Sequence, residues 1–154
     1  MTLEAGQKAP SFRLTDDAGD TVELSALRGQ PVILYFYPRD NTPGCTKEAC
    51  DFRDNMARVT GKGAVVLGVS PDSTRSHVRF REKHDLPFPL LVDEDHSAAE
   101  AYGAWGEKKM AGRTYMGIIR STFLIDAEGI VARAWYKVKV RGHVDEVLEA
   151  LEAL

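Results

Sequence analysis

Only two thiols occur in this chain of 154 residues, Cys45 and Cys50, and both fall in TPGCTKEACDFRDNM, which starts at Thr42. The spacing is too wide for a CxxC redox pair, and no histidine stands at metal-ligand spacing from either cysteine. What each thiol can do depends on the backbone beneath it. Thr42 is a good helix N-cap, and Pro43 falls at the first helical position, where a fixed φ and a missing N–H cost nothing. Cys45 then lies in the first turn, near unpaired backbone N–H groups and the positive end of the helix dipole, both of which favour a thiolate. A thiolate in a small pocket attacks electrophiles. With a peroxide the product is a sulfenic acid, which a second thiol condenses with to give a disulfide.

Helical spacing separates the two sulfurs. Cys45, Ala49, Phe52 and Met56 follow i, i+4, i+7 and i+11, so they share one apolar stripe and Cys45 belongs in a protected pocket. Cys50 is rotated by about 140° from it and keeps company with Thr46, Lys47 and Asp54 on the wetter side. Residues five apart in a helix have Cα atoms about 8.5 Å from each other, beyond the roughly 7 Å at which a disulfide closes. If the sulfurs react with each other, the first turns must unwind: chemistry on Cys45, a conformational step, then capture by Cys50. The plain alternative is a pair of inert residues, since cysteine is among the most often buried types.

The elements that must position this helix read as α/β, a mixed sheet with helices on both faces. Phe12 to Thr15 and Thr21 to Leu24 flank the turn DDAGD and predict a small hairpin capping one end of the domain. VILYFY (Val32 to Tyr37) is a continuous β-branched and aromatic run, as expected of a strand covered on both faces. AVVLGVS (Ala64 to Ser70) follows the cysteine helix and completes a β-α-β unit. Ser73 to Asp85 reads as a charged helix, FPLLVDE as a strand, Ser97 to Trp105 as a short helix, and STFLID with IVARAWYKV as a hairpin. Val144, Val147, Leu148, Leu151 and Leu154 mark an amphipathic C-terminal helix. The basic, glycine-rich GEKKMAGRTYMG lacks the pattern of a P-loop and reads as a flap near the active site.

Composition excludes several functions. Twenty Lys and Arg against 23 Asp and Glu give a net charge of −3 with the signs interspersed, no footprint for nucleic acid or anionic lipid. The expectation is a single domain over residues 1–154, soluble and cytoplasmic, where a structural disulfide is disfavoured. His77, His84, His96 and His143 are scattered, and most read as surface residues. The acidic LVDEDHS reads as a solvated turn rather than a cation site.

PRDNTPGC, Pro38 to Cys45, resembles the PxxxTxxC active-site motif of peroxiredoxins, and CTKEAC resembles the bacterioferritin comigratory protein, or Q-type, branch. WGEKKMAGRTYMG and IIRSTFLID extend the similarity along nearly the whole chain. The resemblance implies a thioredoxin-like fold and thiol-dependent reduction of hydrogen peroxide or organic hydroperoxides, with no flavin, haem or metal. It also implies roles. Cys45 takes the place of the peroxidatic cysteine and Cys50 that of the resolving cysteine. Thr42 takes the place of the motif threonine, which bonds the sulfur or the peroxide, and Pro38 that of the proline shielding the pocket. Arg120 matches the arginine that faces the sulfur, a choice its position alone would not make, because Arg39 and Arg53 lie nearer Cys45 in sequence. Glu48 matches the acidic position between the cysteines; an ordinary first-turn carboxylate favoured by the helix dipole is an equally good reading. A thioredoxin or glutaredoxin-like donor would recycle the disulfide, and the working unit would be a monomer.

Two other functions compete. A thioredoxin-type dithiol oxidoreductase needs sulfurs that bridge without unfolding, and it carries a cis-proline where this chain has Arg120, Ser121 and Thr122. A non-enzymatic redox sensor would share the first chemical step and differ only in lacking turnover.

Overall fold

The VILYF run forms a strand with every residue buried, and the remaining elements assemble around it. The computed structural model describes residues 2–154. In chain order the strands are β1 (Arg13–Asp16), β2 (Thr21–Glu23), β3 (Val32–Phe36), β4 (Val65–Ser70), β5 (Leu90–Val92), β6 (Trp105–Met110), β7 (Arg113–Ile118), β8 (Ser121–Ile125) and β9 (Val131–Trp135). The helices are α1 (Pro43–Asp54), α2 (Met56–Thr60), α3 (Thr74–His84), α4 (Ser97–Ala101) and α5 (His143–Glu152). Seven strands form one mixed sheet in the order β2-β1-β5-β4-β3-β8-β9. β3, β4 and β5 run parallel, and β8 returns antiparallel beside β3.

Alternation along β3 sorts the core into two layers. Ile33 and Tyr35 face a cluster built from Cys45, Ala49 and Phe52 of α1, Phe80 of α3, and Val144, Val147, Leu148 and Leu151 of α5. Val32, Leu34 and Phe36 face the other way, against Leu24, Ala98, Ala99, Tyr102 and Phe123. Both parallel crossovers are right-handed by rule, so α1 and α3 share a face; the opposite face is covered by the short α4, a 3-10 turn over Leu24–Leu27 and loops. The register does the positioning. Phe36 pairs with Ser121, so the residue before Ser121, Arg120, arrives beside the loop that leaves β3 for α1. That loop leaves from the carboxyl end of a parallel strand, where α/β sheets carry their sites.

Several expectations need correction. The N-terminal hairpin does not merely cap the domain: β1 pairs with β5 and extends the sheet. The cysteine helix breaks at Asn55 and restarts as α2. The alanine-rich helix ends at Ala101, and Trp105 opens a strand instead. The flap is a regular hairpin, β6 with β7, turning through Ala111 and Gly112, both with positive φ (51° and 77°). That is the sign pattern of the two-residue turn whose twist matches the strands. Leu154 lies beyond the end of α5 and is exposed.

Candidate active site

Cys45 sits in the first turn of α1 with 1 % of its surface exposed, because its stripe of the helix packs on Ile33 and Tyr35 of β3. Arg120 reaches it from the start of β8: Nη2 donates to Cys45 Sγ at 3.2 Å, and Nη1 donates to Glu48 Oε1 at 2.7 Å. The guanidinium fork thus spans two acceptors that lie one helical turn apart, which a lysine ammonium could not match in geometry. Gly44 makes room for it, since a Cβ there would stand 3.2 Å from Arg120 Nη2.

Glu48 is neither in the first turn nor solvated: it sits in the second turn of α1 and is fully buried. Three residues after Cys45, it lies on the same face of the helix, and that spacing was the available signal. Burial pushes its carboxyl up to about 7, against the pull of the Arg120 guanidinium. Burial works against the charge on Arg120 as well, but Glu48 and the Cys45 sulfur outweigh it and hold the pKa above the ordinary arginine value. Among the described residues Glu48 Oε2 and the nearby Tyr35 hydroxyl find no hydrogen-bond partner. Unpaired buried polar atoms are costly, and they concentrate where chemistry needs them.

The other candidate residues sit around this centre. Thr42 occupies the N-cap position, and its carbonyl accepts from Thr46 N–H at 2.9 Å. Its hydroxyl does not cap the helix as the sequence suggests but donates to the Arg39 carbonyl at 2.9 Å. The turn closed over residues 39–42 offers that oxygen first. Pro38 and Thr42 line a cleft of about 490 Å³ together with Trp105, Lys108, Met110 and Tyr115 of the hairpin. Lys108 donates to the Ile118 carbonyl at 2.8 Å. Of the arginines nearer in sequence, Arg39 is exposed, and Arg53 is taken up by Asp54 and the His84 carbonyl.

Cys50 is half-buried and lies away from this cleft, in a groove lined by Asn41, Pro43, Thr46, Lys83 and His84. Both thiols are free, and α1 runs unbroken through both positions. The histidines depart from expectation: His84 and His96 are half-exposed, but His77 and His143 are buried. His143 Nε2 lies 2.8 Å from Thr122 Oγ1.

The chain also matches known proteins. Residues 5–134 match the model of the AhpC/TSA family. Peroxiredoxin Bcp of Bacillus subtilis is 56% identical over 99% of this chain and 97% of its own. A cysteine-to-serine variant of peroxiredoxin Q from Xanthomonas campestris superposes with a TM-score of 0.92 at 42% identity, over 98% of this chain and 99% of its own. The bacterioferritin comigratory protein of the same organism superposes at 0.91, also 42% identical, over 97% and 98%. By family model, sequence and thioredoxin-like fold, the chain belongs to the AhpC/TSA family and, within it, to the Bcp/PrxQ peroxiredoxins, which are thiol peroxidases.

Proposed function

We propose that Cys45 attacks the peroxide and Cys50 resolves the product within the same chain. In the first step the Cys45 thiolate takes the terminal oxygen of ROOH, the O–O bond breaks, and one proton goes to the leaving alkoxide. The products are a Cys45 sulfenic acid and ROH. In the second step Cys50 attacks the Cys45 sulfur, water leaves, and a disulfide forms. An external dithiol reduces it by exchange and leaves with the disulfide. The observation that carries this reading is the Arg120 fork on a buried sulfur at 3.2 Å. Donors fixed there in a dry site stabilise the thiolate and the charge that builds on the peroxide oxygens.

Pro38 and Thr42 border the entrance to this centre. Arg120 spans Cys45 and Glu48, so the carboxyl that stands near neutrality tunes how much of the cation is given to the sulfur. The neighbouring cleft is mostly apolar, which suits organic hydroperoxides as well as hydrogen peroxide. The X. campestris neighbour has an alkyl peroxide reduction activity, and we assign the same substrate class here. The helix holds the sulfurs too far apart to bond, so α1 unwinds locally before resolution. Thioredoxin or a glutaredoxin-like protein is the donor, and the unit is a single-domain cytoplasmic monomer. Among the described residues no helix is long and apolar enough to cross a membrane.

Turnover separates this reading from a sensor. In an assay coupling NADPH oxidation through thioredoxin reductase and thioredoxin to hydrogen peroxide, the native protein turns over and Cys45→Ser does not. Cys50→Ser consumes one equivalent of peroxide and accumulates oxidised Cys45. A Cys45→Ser protein that kept most of the turnover would rule the mechanism out.

A further inference from the structure

The loop that delivers Cys45 is held by a second buried cluster. Asp40 lies two residues before the N-cap, and its carboxylate accepts from three donors: Tyr37 Oη at 2.6 Å, Ser76 Oγ at 2.8 Å, and His77 Nδ1 at 2.7 Å. Its backbone N–H donates to Asp72 Oδ2 at 2.8 Å, and the same oxygen accepts from Ser70 Oγ at 2.7 Å. His77 is fully buried, and its other nitrogen, Nε2, stands 2.8 Å from the Leu91 carbonyl. A carbonyl only accepts, so Nε2 carries a hydrogen. Nδ1 then shares a proton with Asp40, and the ring is a bridge from the loop to the central strand β5. Burial alone would lower the pKa of His77; Asp40 and the Leu91 carbonyl outweigh it and hold it above the ordinary value. Asp40, Asp72 and His77 come within 4.8 Å of one another, a spacing a cation could use. Here the Asp40 oxygens are already filled by three donors.

The next residue along the chain is exposed and turns the backbone. Asn41 has a φ of 61°, in the left-handed region that asparagine tolerates better than most side chains. After it come Thr42 and the first turn of α1.

We propose that His77, acting through Asp40, is a positioning residue for the peroxidase cycle: it fixes the upstream end of the segment that unwinds, so that Asp40 stays in place and the chain pivots at Asn41. The inference rests on the roles given to Cys45 and Cys50 above. A firm clamp favours the helical form in which Cys45 meets Arg120, and it opposes the opening that lets Cys45 reach Cys50. Loosening the clamp therefore moves the two steps in opposite directions, which a general loss of structure does not.

Two substitutions of similar size separate the clamp from simple packing. Asparagine places its amide nitrogen where His77 Nδ1 stands, so His77→Asn keeps the donor to Asp40. Glutamine places it at Nε2, so His77→Gln keeps the contact to Leu91 and loses Asp40. In single-turnover reactions with hydrogen peroxide, His77→Gln slows oxidation of Cys45 and speeds disulfide formation, each by about tenfold, the worth of one hydrogen bond to a buried charge. His77→Asn stays close to the native rates, and Ser76→Ala, which removes one donor at the edge of the core, shifts both steps in the same opposed sense by less. Amide exchange over residues 41–48 of the reduced protein gives a readout without peroxide: it rises in His77→Gln and not in His77→Asn. Equal behaviour of the two variants, or both steps slowing together, overturns the clamp. A native protein inert to peroxide strikes the proposed function instead, and the exchange comparison still decides the clamp.

Discussion

Two buried ion pairs flank the start of α1, and they are built on opposite plans. Around Cys45, the Arg120 guanidinium serves a sulfur and one oxygen of Glu48, whereas the other oxygen and the Tyr35 hydroxyl have no partner among the described residues. Around Asp40, three donors fill the carboxylate and both nitrogens of His77 are engaged. The first pair is soft, because Glu48 stands near neutrality and can take a proton when its surroundings change. The second is hard, since losing either partner leaves a buried charge or donor behind. A reaction centre must accept new charge and new oxygens, so leaving its polar groups under-satisfied is useful there. The anchor behind it gains by being saturated.

The contrast predicts different penalties for breaking each pair. Arg120→Ala removes the cation that donates to the sulfur, and the rate with peroxide falls by about a hundredfold or more, as for loss of a key transition-state donor. Its stability cost is small, because Glu48 becomes protonated once the cation is gone. His77→Ala leaves the buried Asp40 carboxylate without its His77 partner and costs about 3–5 kcal/mol in unfolding free energy. Denaturant titration of both variants beside a peroxide assay reads the two axes together. If Arg120→Ala proves the less stable protein, the soft and hard assignments are reversed.

Much of the reactive cluster was legible because it is local. The i, i+4, i+7 stripe placed Cys45 inside, and proline at the first helical position placed it in the first turn. Glu48 lies on that stripe too, yet a charged residue on a short helix is normally solvated, and only the arrival of Arg120 from β8 makes its burial tolerable. Arg120 itself was chosen by resemblance, since 75 residues separate it from Cys45 and nothing in the local pattern joins them. The same holds for His77 and Asp40, which are 37 apart: a histidine on a charged helix reads as solvated until the β4-to-β5 crossover turns its first turn toward the loop. The hairpin β6–β7 was missed for another reason. Its turn is Ala-Gly rather than Asn-Gly, and most of its residues are exposed, so no alternation marks the strands.

Glu48→Gln sharpens the comparison through pH. The carboxyl titrates at an ordinary 4.5 when unfolded and at about 7 when folded. Between those values the native state holds the extra proton, so stability falls as pH rises through the window, by up to about 3 kcal/mol, and stays level above it. The native curve alone hides this. His143, whose pKa burial lowers from 6.5 to about 4, is charged in the unfolded chain first and adds a slope of the opposite sign below pH 6.5. The difference between native and Glu48→Gln curves removes the His143 contribution and should decline from pH 4.5 to 7. A flat difference would mean that Glu48 stays ionised throughout and that the reactive pair is as hard as the anchor.

The smallest effects make the finest comparison, because β3 and its extension carry one tyrosine for each cluster. Tyr35 and Tyr37 point the same way, with ring centroids 5.5 Å apart. Tyr37 donates to Asp40 at 2.6 Å, so Tyr37→Phe takes one donor from a buried carboxylate and destabilises by about 1.5–3 kcal/mol. Tyr35→Phe removes an equally buried hydroxyl that has no partner among the described residues, and deleting an unsatisfied polar atom without changing shape is neutral or stabilising by about 1 kcal/mol. Two substitutions identical in chemistry, two residues apart, should thus separate in a denaturant titration, with a loss at Tyr37 and none at Tyr35. Equal losses would show that the Tyr35 hydroxyl is engaged in the native state, and the under-satisfied description of the reactive cluster would then fail at the atom where it is easiest to test.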